Sequence, residues 1–192
     1  MHDVELSVEI YQFLSSGKVI NSRILNNSGE FVPNLLFEEV MNNLDAYRTQ
    51  YEMSGQELVV RKSFIFLRKG GDSIEDLKTD ITMKAALLLL MLGKYINERN
   101  YRFSKLTEQS GGITRDDIQN IQEMEDVQEL IEKAKLKDDL FTEYKNVLIN
   151  RFLLLEMPGS ERFILSDAGK AFFDEVVQSF ARANFGDIDA TS

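Results

Sequence analysis

The sequence predicts a mainly α-helical, α+β fold carrying small β-hairpins. Apolar stripes with helical spacing recur, as at Leu36, Val40, Leu44, Tyr47 and Tyr51 and again at Phe141, Tyr144, Leu148 and Phe152. Each of these helices is followed by two short β-rich runs, Leu58–Val60 with Phe64–Leu67, and Leu153–Met157 with Arg162–Leu165. With only 2 prolines in 192 residues, little interrupts the helices. Helix, helix, hairpin thus occurs twice, and tandem winged-helix units are expected: an N-terminal unit over 1–71, a polar linker at 72–80, a C-terminal unit over 81–183 and a flexible tail at 184–192. A generic α+β domain with two hairpins is the plainer alternative.

In chain order, Leu6, Ile10, Phe13 and Leu14 stripe a first helix from Asp3 to Ser16, and Gly17 stops it. Lys18-Val19-Ile20 suffices for an edge strand, and Asn26-Asn27-Ser28-Gly29 is a turn cluster. Pro33 suits the first turn of the next helix, which Ser54-Gly55 ends. The first hairpin turns at Arg61-Lys62-Ser63 and closes at Lys69-Gly70-Gly71. Ile81–Glu98 is apolar nearly all round, which predicts a buried central helix of the second unit. Phe103 and Leu106 suggest a short strand then helix, Thr114 a cap for Arg115–Met124, and Val127–Lys137 a further helix. Pro158-Gly159-Ser160-Glu161 turns the second hairpin, and Ser166 can cap a last helix lined by Phe172, Phe173, Val176, Val177 and Phe180.

The inventory for chemistry is thin. There is no cysteine, hence no disulfide framework or thiolate metal site, and the only histidine is His2. No nucleophile–histidine–acid set can be assembled, and no phosphate-binding glycine loop is present. Acidic pairs such as Asp116-Asp117, Glu125-Asp126, Asp138-Asp139 and Asp174-Glu175 are neighbours that point ~100° apart on a helix, so they do not chelate by themselves. A non-enzyme with no cofactor and no metal is expected. The acidic start, Met1-His2-Asp3-Val4-Glu5, lacks the basic and apolar regions of a signal peptide, and the longest apolar run, Ala85–Leu92, is far short of a membrane span. A cytoplasmic, soluble protein is expected.

Charge is uneven. Residues 1–110 carry 13 Lys/Arg against 15 Asp/Glu, whereas residues 111–192 carry 9 against 17. Phosphate contacts supply much of the affinity for DNA, so this balance favours a protein partner with a basic surface over naked DNA. Candidate DNA contacts are Arg61 and Lys62 at the first hairpin tip, Arg68 and Lys69 at its base, Lys145 and Arg151 on the second unit's reading helix, and Arg162 on the second hairpin. Six residues of helix turn through ~600°, so Lys145 and Arg151 lie ~120° apart and make no continuous ridge. Tyr47, Tyr51, Phe64 and Phe66 sit at core spacing.

Ser16-Gly17-Lys18-Val19-Ile20, then Phe64-Ile65-Phe66-Leu67-Arg68, then Asn150-Arg151-Phe152 with Arg162-Phe163-Ile164-Leu165, resemble the MukE/MksE family in sequence and in order. The likeness spans roughly residues 5–180 and leans to the shorter MksE-like branch, because the long acidic carboxy-terminal tail of MukE is missing. The second reading helix also holds less arginine than is common in the family. The resemblance implies a KITE-type winged-helix accessory subunit of a bacterial SMC-like condensin. Such a subunit forms a homodimer, binds a kleisin of the MukF/MksF type, and helps the complex clamp DNA beside an SMC-like ATPase of the MukB/MksB type. It implies a nucleoid-associated role in chromosome organisation and segregation, or in plasmid defence. The other class of function to weigh is a winged-helix transcriptional regulator that reads DNA as a dimer, which the weakly basic Lys145/Arg151 helix argues against.

Overall fold

The structure, a computed structural model, describes residues 3–69, 80–137 and 139–185. In the first half, Asp3 caps α1 (Val4–Ser15), its Oδ1 accepting from the amides of Glu5 and Leu6 at 2.9 and 3.2 Å. Gly17, at φ +75°, turns the chain out of the helix into β1 (Ile20–Asn21). The Asn26–Gly29 cluster proves to be the turn of a small hairpin, β2 (Arg23–Leu25) with β3 (Phe31–Pro33); Asn26 Oδ1 accepts from the amides of Ser28 and Glu30, both at 2.9 Å.

Pro33 therefore ends a strand rather than opening a helix. It lies opposite Arg23 at the end of the ladder, where a missing N–H is tolerated, and Asn34 caps the helix instead. The single helix expected from Pro33 to Tyr51 is two, α2 (Leu35–Asn42) and α3 (Leu44–Met53). Asn43 leaves helical geometry at φ −125°, ψ 32°, with its own amide donating to Glu39 O and to Glu39 Oε1. The apolar stripe survives the break, since Leu36, Val40, Tyr47 and Tyr51 are all buried. Strands β4 (Gln56–Val60) and β5 (Phe64–Lys69) then form the hairpin, with β1 added on the far side of β5 in an antiparallel order β1-β5-β4.

The second half opens on α4 (Asp80–Glu98), the central helix expected, with Ala85, Leu88, Leu89, Met91, Leu92, Tyr95 and Ile96 buried. No strand forms ahead of α5 (Ser104–Thr107); β6 (Ile113–Thr114) comes after it instead. Thr114 caps α6 (Arg115–Gln122) in a reciprocal capping box with Asp117, and α7 (Glu125–Lys133) follows. The helix expected over 141–152 begins as α8 (Leu140–Glu143) and widens into a π-helix over Tyr144–Ile149. It closes with i→i+5 bonds, Asn150 N to Lys145 O at 2.8 Å, and ends on Phe152 at φ 64°. The buried Tyr144 hydroxyl donates to Leu88 O at 2.8 Å, tying this widened turn to α4. Strands β7 (Leu154–Glu156) and β8 (Arg162–Leu165) form the second hairpin in the order β6-β8-β7, before α9 (Asp167–Phe185). Ser166 caps α9 as expected, its Oγ accepting from Gly169 N at 2.9 Å. On α9, Phe173 and Val176 are buried while Val177 and Phe180 are exposed.

Both halves thus thread helix, short strand, helices and hairpin in the same sequence, and in both sheets the last strand lies in the middle. One core joins α1–α3 to the first sheet, and a larger one gathers α4–α9 around Leu88, Leu92 and Tyr144. A third, small core is shared: Leu155, Met157 and Ile164 of the second hairpin pack against Leu25 and Phe31 of the first half's β2–β3 hairpin. The expected linker 72–80 falls outside the described residues except for Asp80, and the expected tail 184–192 does so beyond Phe185. Among the described residues no helix is long and apolar enough to cross a membrane.

Candidate interaction surface

The seven basic residues singled out from the sequence reach three different situations. Arg61 and Lys62 project from the tip of the β4–β5 hairpin and are exposed, as is Lys145 on the π-helix. Arg68, at the hairpin's base, donates through Nε to Glu57 Oε2 at 2.9 Å across the ladder, and Lys69 ends β5 with its side chain outside the described ones. Arg151 and Arg162 face inward. Arg151 Nη1 donates to Gly17 O at 3.1 Å, and burial lowers the guanidinium's proton affinity from its ordinary value. Arg162 Nη1 donates to Gly111 O at 2.8 Å and Ser110 O at 3.3 Å, bracing the loop before β6. Only Arg61 and Lys62 are neighbours in an exposed pair.

The contacts around Arg151 belong to a seam between the halves that sequence reasoning missed. Asn21, buried to 2 % exposure, is its centre. Its Nδ2 donates to Phe152 O at 3.0 Å and its Oδ1 accepts from Ala168 N at 2.9 Å, while its own carbonyl accepts from Asn34 Nδ2 at 2.8 Å. Next to it, Val19 N donates to Arg151 O at 3.1 Å. Arg23 forks onto Asp167, Nε to Oδ2 at 3.1 Å and Nη2 to Oδ1 at 2.6 Å, and the hydrogen bond raises the guanidinium's pKa from its ordinary value. Phe13 and Phe152 pack with ring centroids 4.8 Å apart, and Lys18 Nζ lies 5.2 and 5.8 Å from the two rings. The left-handed backbone at Phe152 turns its carbonyl toward Asn21, which accounts for an aromatic residue in a conformation it rarely adopts.

Inside the second half, Asp117 collects four donors. Tyr95 Oη donates at 2.7 Å, Thr114 N at 2.9 Å and Thr114 Oγ1 at 3.2 Å, with Lys105 Nζ at 3.2 Å. Burial pushes the carboxyl up, but Tyr95, Thr114 and Lys105 together outweigh it and hold Asp117 below the usual carboxylate range. The same burial, with Asp117 beside it, pushes the Tyr95 hydroxyl up to about 12. This network braces α4, α5 and α6 against one another. A concavity of about 340 Å³ lies between α6, α7 and α8, lined by Arg115, Gln119, Glu123, Gln128, Asp139 and Phe141 among others. Among the described residues no group of three His, Cys, Asp or Glu side chains could hold a metal ion.

The fold and its surface define a mainly α protein of two hairpin-bearing halves locked over a polar seam. The family model of the condensin complex protein MksE matches residues 5–177 of the chain. The chain belongs to that family, and so is a subunit of the condensin-complex class. Compared with the curated proteins, the chain matches none.

Proposed function

We propose that this chain is a non-catalytic accessory subunit of a MksBEF-type condensin. Each half acts as a winged-helix unit, with residues 1–71 and 81–183 as its two modules. The protein is a homodimer, docks on the kleisin beside the SMC-like ATPase, and helps the assembled complex clamp DNA. The observation that carries this reading is the match to the condensin-complex family over nearly the whole chain. The net charge of −10 supports a basic protein partner, with DNA met only inside the complex. Of the candidate DNA contacts, this reading gives phosphate to the exposed Lys62 and Lys145, because Arg68, Arg151 and Arg162 are already engaged within the fold. The complex works at the nucleoid in the cytoplasm, in chromosome organisation and segregation or in plasmid defence.

The test is assembly. The kleisin encoded beside this chain is mixed with it at micromolar concentration and run on a sizing column with light scattering. Co-elution in a defined ratio is expected, and separate elution of the two would overturn the proposal.

A further inference from the structure

Strand β4 is the outer strand of the first sheet, and among the described residues it pairs with β5 alone. The register fixes which backbone groups are left over. Arg61 N donates to Phe64 O at 2.9 Å, so hydrogen-bonded pairs recur at Val59–Phe66 and Glu57–Arg68. The N–H and C=O groups of Leu58 and Val60 therefore point away from β5, toward the open edge. Of the usual edge protection Gln56–Val60 has only the charge of Glu57: no proline, no lysine, and no bulge in its ladder. Leu58 and Val60 turn their side chains into the first core. Glu57, Val59 and Arg61 line the opposite face, where neither Val59 nor its cross-strand neighbour Phe66 belongs to any of the three cores.

We propose that this edge is where a second copy of the chain docks, β4 pairing antiparallel with β4 about a two-fold axis at Val59. The inference rests on the homodimer reading above and names its surface. What singles out a second copy is that, among the antiparallel registers that use the strand's free groups, the one centred on Val59 also sets Glu57 opposite Arg61. Leu58 then exchanges hydrogen bonds with Val60 of the second copy. Val59 meets its own equivalent in the close, non-hydrogen-bonded position, where side chains approach most nearly. Glu57 faces Arg61 of the second copy, twice by symmetry. Both bonds from Arg68 end on Glu57 Oε2, which leaves Oε1 for that second cation, and Arg61 is exposed. The two sheets become one of six strands.

The test uses the full chain and two charge reversals, Arg61→Glu and Glu57→Arg, followed by sedimentation over a concentration series. Wild type is expected to dimerise. Each variant alone places like charges opposite each other at two positions, and its dimer should weaken by about tenfold or more, given the energies of cross-strand pairs. Mixed one to one, the two variants restore opposite charges at both positions and should form a heterodimer near wild-type affinity. Melting curves matched to wild type certify the fold. A wild-type dimer that both variants keep would overturn this surface and leave the homodimer reading standing. A wild type that stays monomeric would overturn both. If the wild type is monomeric but Val59→Lys blocks co-elution with the kleisin, the edge serves a kleisin strand and self-pairing is overturned.

Discussion

Replacing Asn21 with alanine tests the seam at its centre. The side chain makes two hydrogen bonds across the halves, to Phe152 O at 3.0 Å and from Ala168 N at 2.9 Å, with both Asn21 and Ala168 at 2 % exposure. A net hydrogen bond contributes about 1 kcal/mol, and a buried backbone group left unpaired costs about 1–3 kcal/mol. Ala168 N lies in the first turn of α9, where no intrahelical acceptor is available to replace the lost one. Asn21→Ala should therefore destabilise the protein by about 3 kcal/mol, with water entering at Phe152 as the main relief. For a chain of this size that lowers the melting temperature by about 6–12 °C. Asn21→Asp keeps the acceptor for Ala168 but sets a carboxylate against the Phe152 carbonyl, so it should fare no better than alanine. Urea unfolding followed by circular dichroism measures both. A loss below about 0.5 kcal/mol for Asn21→Ala, the range of an ordinary surface change, would refute the seam as described.

Other expectations follow from single sites. Gly17→Ala adds a Cβ at φ +75°, only 2.8 Å from Arg151 Nη1, and should cost about 1–2 kcal/mol by thermal melting. Asp117 has a lowered pKa when folded, so its contribution to stability is present above the unfolded carboxylate range and is lost as pH falls through the folded value. Wild type should accordingly lose stability in acid more steeply than Asp117→Asn, which a series of urea midpoints at falling pH would record. Lys62→Ala with Lys145→Ala removes two exposed cations; DNA affinity of the assembled complex should fall and the salt slope should flatten by about two, one for each phosphate contact. The melting temperature of that double variant should match wild type.

Much of the architecture is local and was legible. The caps at Thr114 and Ser166, the stop at Gly17 and both principal hairpins each rest on residues within a few positions of one another. Two helix readings slipped because a short polar side chain intervened: Asn34 caps more strongly than Pro33 invites, and Asn43 bonds back to Glu39 and breaks the helix. The widening at Tyr144–Ile149 had no signal in apolar spacing, since the same side chains stay inside. The seam was beyond sequence reasoning for a simpler reason. Asn21 and its partners Phe152 and Ala168 are more than 130 positions apart, and nothing around an isolated asparagine marks it as the meeting point of two halves. Of the basic candidates, position along the chain located the exposed tip at Arg61 and Lys62, while only tertiary packing reveals that Arg151 and Arg162 brace loops.

The small shared core has a consequence for how the molecule comes apart. Leu25 and Phe31 pack with Phe152, Leu155, Met157 and Ile164 in a core to which both halves contribute, so each portion seals the other's greasy patch. Were the polypeptide severed between residues 70 and 79, the fragments should stay clasped and travel as one particle. Heating should likewise undo them together in a single cooperative step, because the last contacts to yield are ones that each fragment supplies to its mate.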